Sequence, residues 1–248
     1  KLFLGKQIKQ IIANFSPDAI IYFPFASATF ASLIRNLILS KYAPGSRSIL
    51  VAMQPKPLKK WQKHLLHLFK PKKVLTPSPQ LKRRFEQLHI DVEFLPLFTD
   101  LLQFKPLKVS SKKKELRQKY NLPENAFVVM HAGHLNPGRT LHILVPIQKN
   151  GNQLIIVGSS STPQDSVGPV SLKNDLISEG IVILDCYIDK IEEIYQLSDV
   201  YVFPVVAPNS SIGMPLSVLE ARACGVPVIT TDFGSIRSFL ADDNGGIV

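Results

Sequence analysis

The chain has 248 residues, 45% of them hydrophobic, a net charge of +10 and two cysteines. That length accommodates two modest α/β domains of roughly 100–150 residues each, with enough apolar residues to bury cores. The uncharged run of residues 19–34 is broken by Pro24 and is shorter than the roughly 20 apolar residues of a membrane span. Cys186 and Cys224 lie far apart with no metal spacing and no disulfide framework, as expected of a reducing, cytoplasmic compartment.

Charge is unevenly spread. Residues 1–104 hold 16 Lys and Arg against five Asp and Glu, whereas residues 105–248 hold 13 against 14. The asymmetry predicts two domains with different partners, divided at 104/105.

In chain order, a helical pattern over Ile8–Asn14 comes first. Strands are predicted at Ala19–Phe23, Ser48–Met53, Lys73–Thr76 and Val92–Leu95. Helices alternate with them at Ala26–Leu39, Leu58–Leu68 and Pro79–Leu88. Pro96–Ser111 reads as a linker, and the Lys112–Lys114 run beside it as solvated surface. The second half is more regular. Strands fall at Ala126–Ala132, Leu154–Val157, Ile181–Leu184, Val200–Phe203 and Val228–Thr230. Helices are expected from about Arg139, from about Ser171, and at Ile191–Leu197, Pro215–Ala223 and Ser235–Leu240. Continuous apolar strands alternating with helices mean a parallel sheet covered on both faces, a doubly wound, Rossmann-like domain. The chain opens inside a helical pattern and stops where a strand begins at Gly245–Val248, so an incomplete N-terminal domain and a truncated C-terminal end are expected.

Ligands of such folds sit at the carboxyl ends of the strands, against helix N-termini. Three loops there carry candidate chemistry. In His131–Arg139, Gly133 and Gly138 allow close backbone approach, Arg139 can grip a phosphate and His134 is a second donor; a plain turn with a surface arginine is the alternative. In Pro204–Glu220, a polar loop containing Ser211 and Gly213 runs into a helix at Pro215. The N–H groups of Met214, Leu216 and Ser217 would face an anion there. Glu220, inside that apolar helix, needs a partner: ribose hydroxyls, or a salt bridge to Arg222 or Arg237. In Asp185–Asp189, Tyr187 either lies against a nucleobase or packs partly buried. No Walker loop or Gly-x-Gly-x-x-Gly is present, so the usual marks of a kinase or dehydrogenase are missing. No carboxylate pair is placed for a metal, and none is expected.

Together these loops resemble the glycosyltransferase group 1 family, the retaining family 4 enzymes of the two-domain GT-B fold. The resemblance rests on Gly133–Arg139, Ile156–Gly158, Ser198–Val200, Pro204 and Leu219–Val228, and covers roughly Ala126–Val248 in order. It implies that the family's phosphate-binding arginine and lysine fall on His134 and Arg139, and its ribose-holding glutamate on Glu220. Ile212 stands where the family carries its first glutamate. The implied activity is transfer of a sugar from a UDP- or GDP-sugar to an acceptor hydroxyl, in glycan, glycolipid or polysaccharide synthesis, with no further cofactor. The alternatives are a non-catalytic nucleotide-sugar-binding protein and a GT-B-like sugar-nucleotide epimerase. The acceptor implied is a glycan or a lipid-linked molecule.

The basic half fits a lipid-linked acceptor. Lys56–Lys73 contains seven lysines and no acid, interleaved with Trp61, Leu65, Leu66, Leu68 and Phe69. Such a segment can lie peripherally on an anionic, cytoplasmic membrane surface; a solvated face over a core helix is the alternative. No nucleic-acid motif is present, and no nucleic-acid partner is expected.

Overall fold

Two parallel sheets organise the chain. The computed structural model describes residues 5–25, 27–54, 56–159, 169–207, 210–240 and 246–247. Lys1–Leu97 with Ile212–Met214 forms one unit, and Phe98–Ser211 with Pro215–Val248 the other.

The N-terminal unit runs α1 (Lys6–Phe15), β1 (Ala19–Tyr22), α2 (Phe30–Tyr42), β2 (Arg47–Val51), α3 (Lys60–Leu68), β3 (Lys73–Thr76), α4 (Pro79–Gln87) and β4 (Val92–Phe94). Its strands pair in parallel, in the order β1-β2-β3-β4. Leu33 of α2, Leu50 of β2, Leu66 of α3, Val74 of β3 and Phe85 of α4 meet in one core. α2 starts four residues later than its apolar pattern suggests. Ser27 is left-handed (φ 54°), and Thr29 caps the helix by accepting from Ser32 N–H at 3.2 Å.

The C-terminal unit runs α5 (Ser111–Lys119), β5 (Val128–His134), α6 (Val145–Lys149), β6 (Gln153–Ser159), α7 (Pro169–Ser178), β7 (Val182–Leu184), α8 (Ile191–Leu197), β8 (Val200–Phe203), α9 (Leu216–Ala223), β9 (Val228–Thr230), α10 (Ile236–Leu240) and β10 (Gly246–Ile247). The strand order is β10-β9-β8-β5-β6-β7, all parallel. Alternation along the strands divides the core. Val128, Met130 and Ala132 of β5 join Tyr201 and Phe203 of β8 in one apolar layer, while Val129, Val200 and Val202 join the other. A sheet buried on both faces therefore reads as continuous apolar sequence. The chain leaves β5 towards β7 on one side and returns at β8 on the other. That reversal puts the topological switch point between β5 and β8, where doubly wound sheets bind ligands.

Three local expectations change. Ser111–Lys119, read as linker end and solvated lysines, is a helix; it buries only Leu116 and Arg117, too few for a visible apolar stripe. The helix expected from Arg139 is instead a 3₁₀ turn, Pro137–Arg139, then a second one, Leu141–Leu144, then α6. Left-handed Thr140 (φ 56°) separates the two turns. α9 starts at Leu216, with Pro215 at its N-cap in extended conformation. In the connection between the strand predicted at Leu154–Val157 and the helix expected from about Ser171, residues 160–168 lie outside the described residues.

A buried arginine anchors α5. Arg117 donates to Leu197 O (3.1 Å), Glu124 O (2.7 Å), Ala126 O (3.0 Å) and Asp199 Oδ2 (2.6 Å). Asp199 also accepts from Val128 N–H and Lys113 Nζ, both at 2.7 Å. Burial pushes the Asp199 carboxyl up, but the bonds from Lys113 and Val128 N–H and the neighbouring cations outweigh it and hold the group below its ordinary range. A depressed carboxyl pKa stabilises the fold above its unfolded pKa, and that contribution fades as pH falls through the folded value. Arg117→Met should therefore cost about 2–3 kcal/mol near neutral pH. Urea unfolding should show this deficit narrowing in acid, as Asp199 is protonated.

Candidate nucleotide-sugar site

At the switch point, β5 ends in Gly133 and His134. Gly133 has φ +156°, and a β-carbon there would lie 2.9 Å from Arg139 Cζ. Only glycine leaves room for that guanidinium against the backbone. Arg139 itself is 5% exposed, and its Cζ stands 5.8 Å from the centre of the Phe203 ring. Phe203 ends β8, so the cation spans the strands on both sides of the switch. Thr140 fixes the turn by donating from Oγ1 to Pro204 O at 2.9 Å. The alternative of a plain turn with a surface arginine is thereby removed.

His131, fully buried, lies beside this cation. Its Nδ1 is 2.9 Å from Val202 O, so Nδ1 carries the proton, and Nε2 has no hydrogen-bond partner among the described residues. Burial, with help from the Arg139 charge and against the pull of Val202 O, lowers its pKa to about 4. The ring is neutral at physiological pH, and its rings-in-contact neighbours are Tyr201 and Phe203, each 6.2 Å away between centroids.

α9 supplies the other wall. The Tyr201 hydroxyl donates to Ser217 Oγ at 2.7 Å, and its pKa is pushed up to about 12, chiefly by burial. Both the Arg139 and the Glu220 charges act on that hydroxyl. Glu220 is half-buried and accepts from Tyr195 Oη at 2.6 Å through Oε2. Burial raises its pKa, and the Tyr195 bond works against that rise. The arginines weighed as its ionic partners turn elsewhere: Arg222 donates to Phe239 O at 2.8 Å, and Arg237 binds Asp232 at 3.0 Å. Leu216 and Ser217 occupy the first turn of α9, ahead of the first i→i−4 acceptor, so their N–H groups face the helix's N-terminal end.

Beyond β6 and β7 lies a cavity of about 610 Å³, lined by Gly158, Phe104, Asp185, Tyr187, Ile188 and Asp189 among others. Tyr187 is 91% exposed, which removes the alternative of a packed core tyrosine. His134 pairs in register with Ser159, next to Gly133 and Gly158. Ser211 is buried. Gly213 and Met214 group with the N-terminal unit, where Gly213 N–H donates to Met53 O at 3.2 Å. Among the described residues, no cluster of three or more His, Cys, Asp or Glu could hold a metal ion.

The sequence alone does not single out His131, Tyr195 or Tyr201. Their one signal is a polar tip inside an apolar run, which must find a partner when buried. Which partner it finds depends on how α8 and α9 pack against β8.

A cation and a half-buried carboxylate flank the switch point of a doubly wound, Rossmann-like sheet, the place where such folds bind ligands. Residues 128–248 match the family model described as Glycosyl transferases group 1. D-inositol 3-phosphate glycosyltransferase of Geodermatophilus obscurus is 25% identical over 171 residues, 62% of this chain and 36% of that protein. Its counterpart in Kineococcus radiotolerans is 26% identical, over 62% of this chain and 37% of that protein. The matched region thus spans little more than a third of these relatives. Among solved structures, a glycosyltransferase of Rickettsia africae superposes with a TM-score of 0.72 at 18% identity, covering 98% of this chain and 65% of that one. Anabaena HepE in complex with UDP-glucose gives 0.75 at 20% identity, covering 98% and 67%. These likenesses show the fold, which is GT-B.

Tyr195→Phe should raise the Glu220 pKa further, because it removes the hydrogen bond that favours the carboxylate. Carboxyl-carbon NMR titration of the two proteins would read the change; an unchanged or lower value would contradict the assigned pairing.

Proposed function

We propose that this chain carries the donor-binding part of a retaining glycosyltransferase. It would move a sugar from a UDP- or GDP-sugar to an acceptor hydroxyl, in glycan, glycolipid or polysaccharide synthesis. The observation that carries this reading is the buried Arg139 guanidinium over Gly133, with Glu220 acting on the same Tyr201 hydroxyl. The curated relatives are named glycosyltransferases, and the UDP-glucose held by Anabaena HepE favours a nucleotide-sugar donor.

Arg139, His134 and the first-turn N–H groups of α9 would hold the charge that develops on the departing diphosphate. Glu220 would accept from the ribose hydroxyls, Gly133 and Ser211 would line the donor, and Tyr187 would lie against the base. Retention requires the acceptor hydroxyl to attack the face that the leaving group vacates. In this division of labour residues 1–104 serve the acceptor and residues 105–248 the donor. Ile212, in place of the family's first glutamate, favours a second reading: a protein that binds nucleotide sugars without transferring them.

A thermal-shift series with UDP, GDP, ADP and their sugars tests the reading. A nucleotide at 100 times its dissociation constant should stabilise by about 2.7 kcal/mol, or about 5–10 °C. Arg139→Ala should abolish the shift, and binding should weaken as pH falls through the raised Glu220 pKa. Release of UDP or GDP from a donor supports transfer. Binding without release from any donor selects the non-catalytic reading, and no shift with any nucleotide defeats both.

The lysine-rich segment supports peripheral attachment to an anionic, cytoplasmic membrane. Trp61, Leu68 and Phe69 are exposed among the lysines, and no described helix is long and apolar enough to cross a bilayer. Flotation should recover the protein with phosphatidylglycerol vesicles and not with phosphatidylcholine vesicles; equal recovery would refute the electrostatic attachment.

A further inference from the structure

The start of α3 is electrostatically unusual. Lys59 caps the helix, Lys60 opens it, Lys63 follows within one turn, and no acid lies in the first turn. The positive end of the helix dipole repels those cations and attracts an anion. Lys63 shares a cavity of about 360 Å³ with Lys56, from the connection ahead of α3, and Arg84, in the last turn of α4. Gln87, Leu58 and Leu88 also line it, and among the described residues no Asp or Glu does. Its volume falls in the usual range of small-molecule sites.

The neighbouring acids are committed elsewhere. Asp91 and Glu93 hold Lys73, and Glu86 holds Lys82. Lys56 is partly buried, and burial alone pushes its pKa down, with no acidic neighbour acting against it. Three cations from three separate elements thus converge on one cavity at a helix N-terminus.

We infer that the cavity formed by Lys56, Lys63 and Arg84 binds the phosphate group of a phosphate ester. Phosphate presents several oxygens to separate donors, and the Arg84 fork can take two of them. Leu58 and Leu88 offer apolar surface to the carbon portion of the ester. The site lies wholly in the N-terminal unit, and its existence does not depend on donor binding at Arg139. A soluble phosphate ester and a lipid headgroup share this chemistry.

Trp61, the single tryptophan of the chain, lies on α3 beside these lysines. It is 54% exposed, with its ring 5.3 Å from that of Phe30, edge to face. Its fluorescence can follow titrations of the whole chain with glycerol 3-phosphate, and with phosphatidylglycerol vesicles, at constant ionic strength. Lys63→Ala/Arg84→Ala should weaken saturable binding by about tenfold or more, since it removes two charge-assisted contacts. Lys112→Ala/Lys114→Ala removes the same charge from exposed positions outside the cavity and outside the lysine-rich segment, and should leave affinity within about twofold. Saturation by glycerol 3-phosphate with that pattern identifies a soluble ester; saturation by the vesicles alone, with the same pattern, identifies a headgroup. No saturation by either ligand, or equal weakening by the two double variants, overturns the site.

Discussion

A guanidinium held out of water at the meeting of two strands is the constraint around which the C-terminal unit is arranged. Taking a cation out of solvent costs free energy unless the surroundings answer it. Here the backbone at Gly133 gives way, the Phe203 ring presents its face, and Thr140 pins the turn to Pro204 O. Neutrality of His131 belongs to the same arrangement, because a second cation beside Arg139 would be repelled. Each of these features has a cost in isolation: a left-handed threonine, a glycine in a strand, a buried imidazole nitrogen without a partner. They are concentrated at a switch point, where doubly wound sheets bind ligands.

The carboxylate side is built by a different device. Glu220 is placed in α9 by helical spacing, but one tyrosine from another element reaches its carboxylate and a second holds the turn before it. Tyr195 of α8 donates to the carboxylate, while Tyr201 of β8 holds Ser217 one turn earlier in α9. The result is an acid whose pKa is raised by burial yet restrained by one short hydrogen bond. A carboxylate in that state accepts hydroxyl donors well and does not need a counter-cation. Arg222 and Arg237 accordingly serve the end of α10 and Asp232.

Much of the sheet architecture could be read directly from the chain, because strands buried on both faces leave unbroken apolar runs. Lys73–Thr76, Ile191–Leu197, Val200–Phe203 and Val228–Thr230 fall on their expected residues. α5 escaped that reading because it buries only one leucine and one arginine, Arg117, whose partners Leu197 and Asp199 are some 80 residues away in sequence. The helix expected at Arg139 became 3₁₀ turns because Thr140 adopts a left-handed conformation that apolar periodicity does not encode. At the site, Gly133, Arg139 and Glu220 were visible as residue types out of place in their surroundings. The tyrosines and His131 looked like ordinary core residues until packing gave their polar ends a direction.

The account depends on Gly133 making the place in which Arg139 meets a phosphate. The direct measurement is UDP and GDP affinity in Gly133→Ala, by calorimetry, alongside the unfolding midpoint of the same protein. A β-carbon at residue 133 must displace the guanidinium. The account predicts a folded protein whose nucleotide affinity falls by about tenfold or more, the scale of one lost charge-assisted contact. An unchanged affinity in a folded Gly133→Ala protein would contradict it.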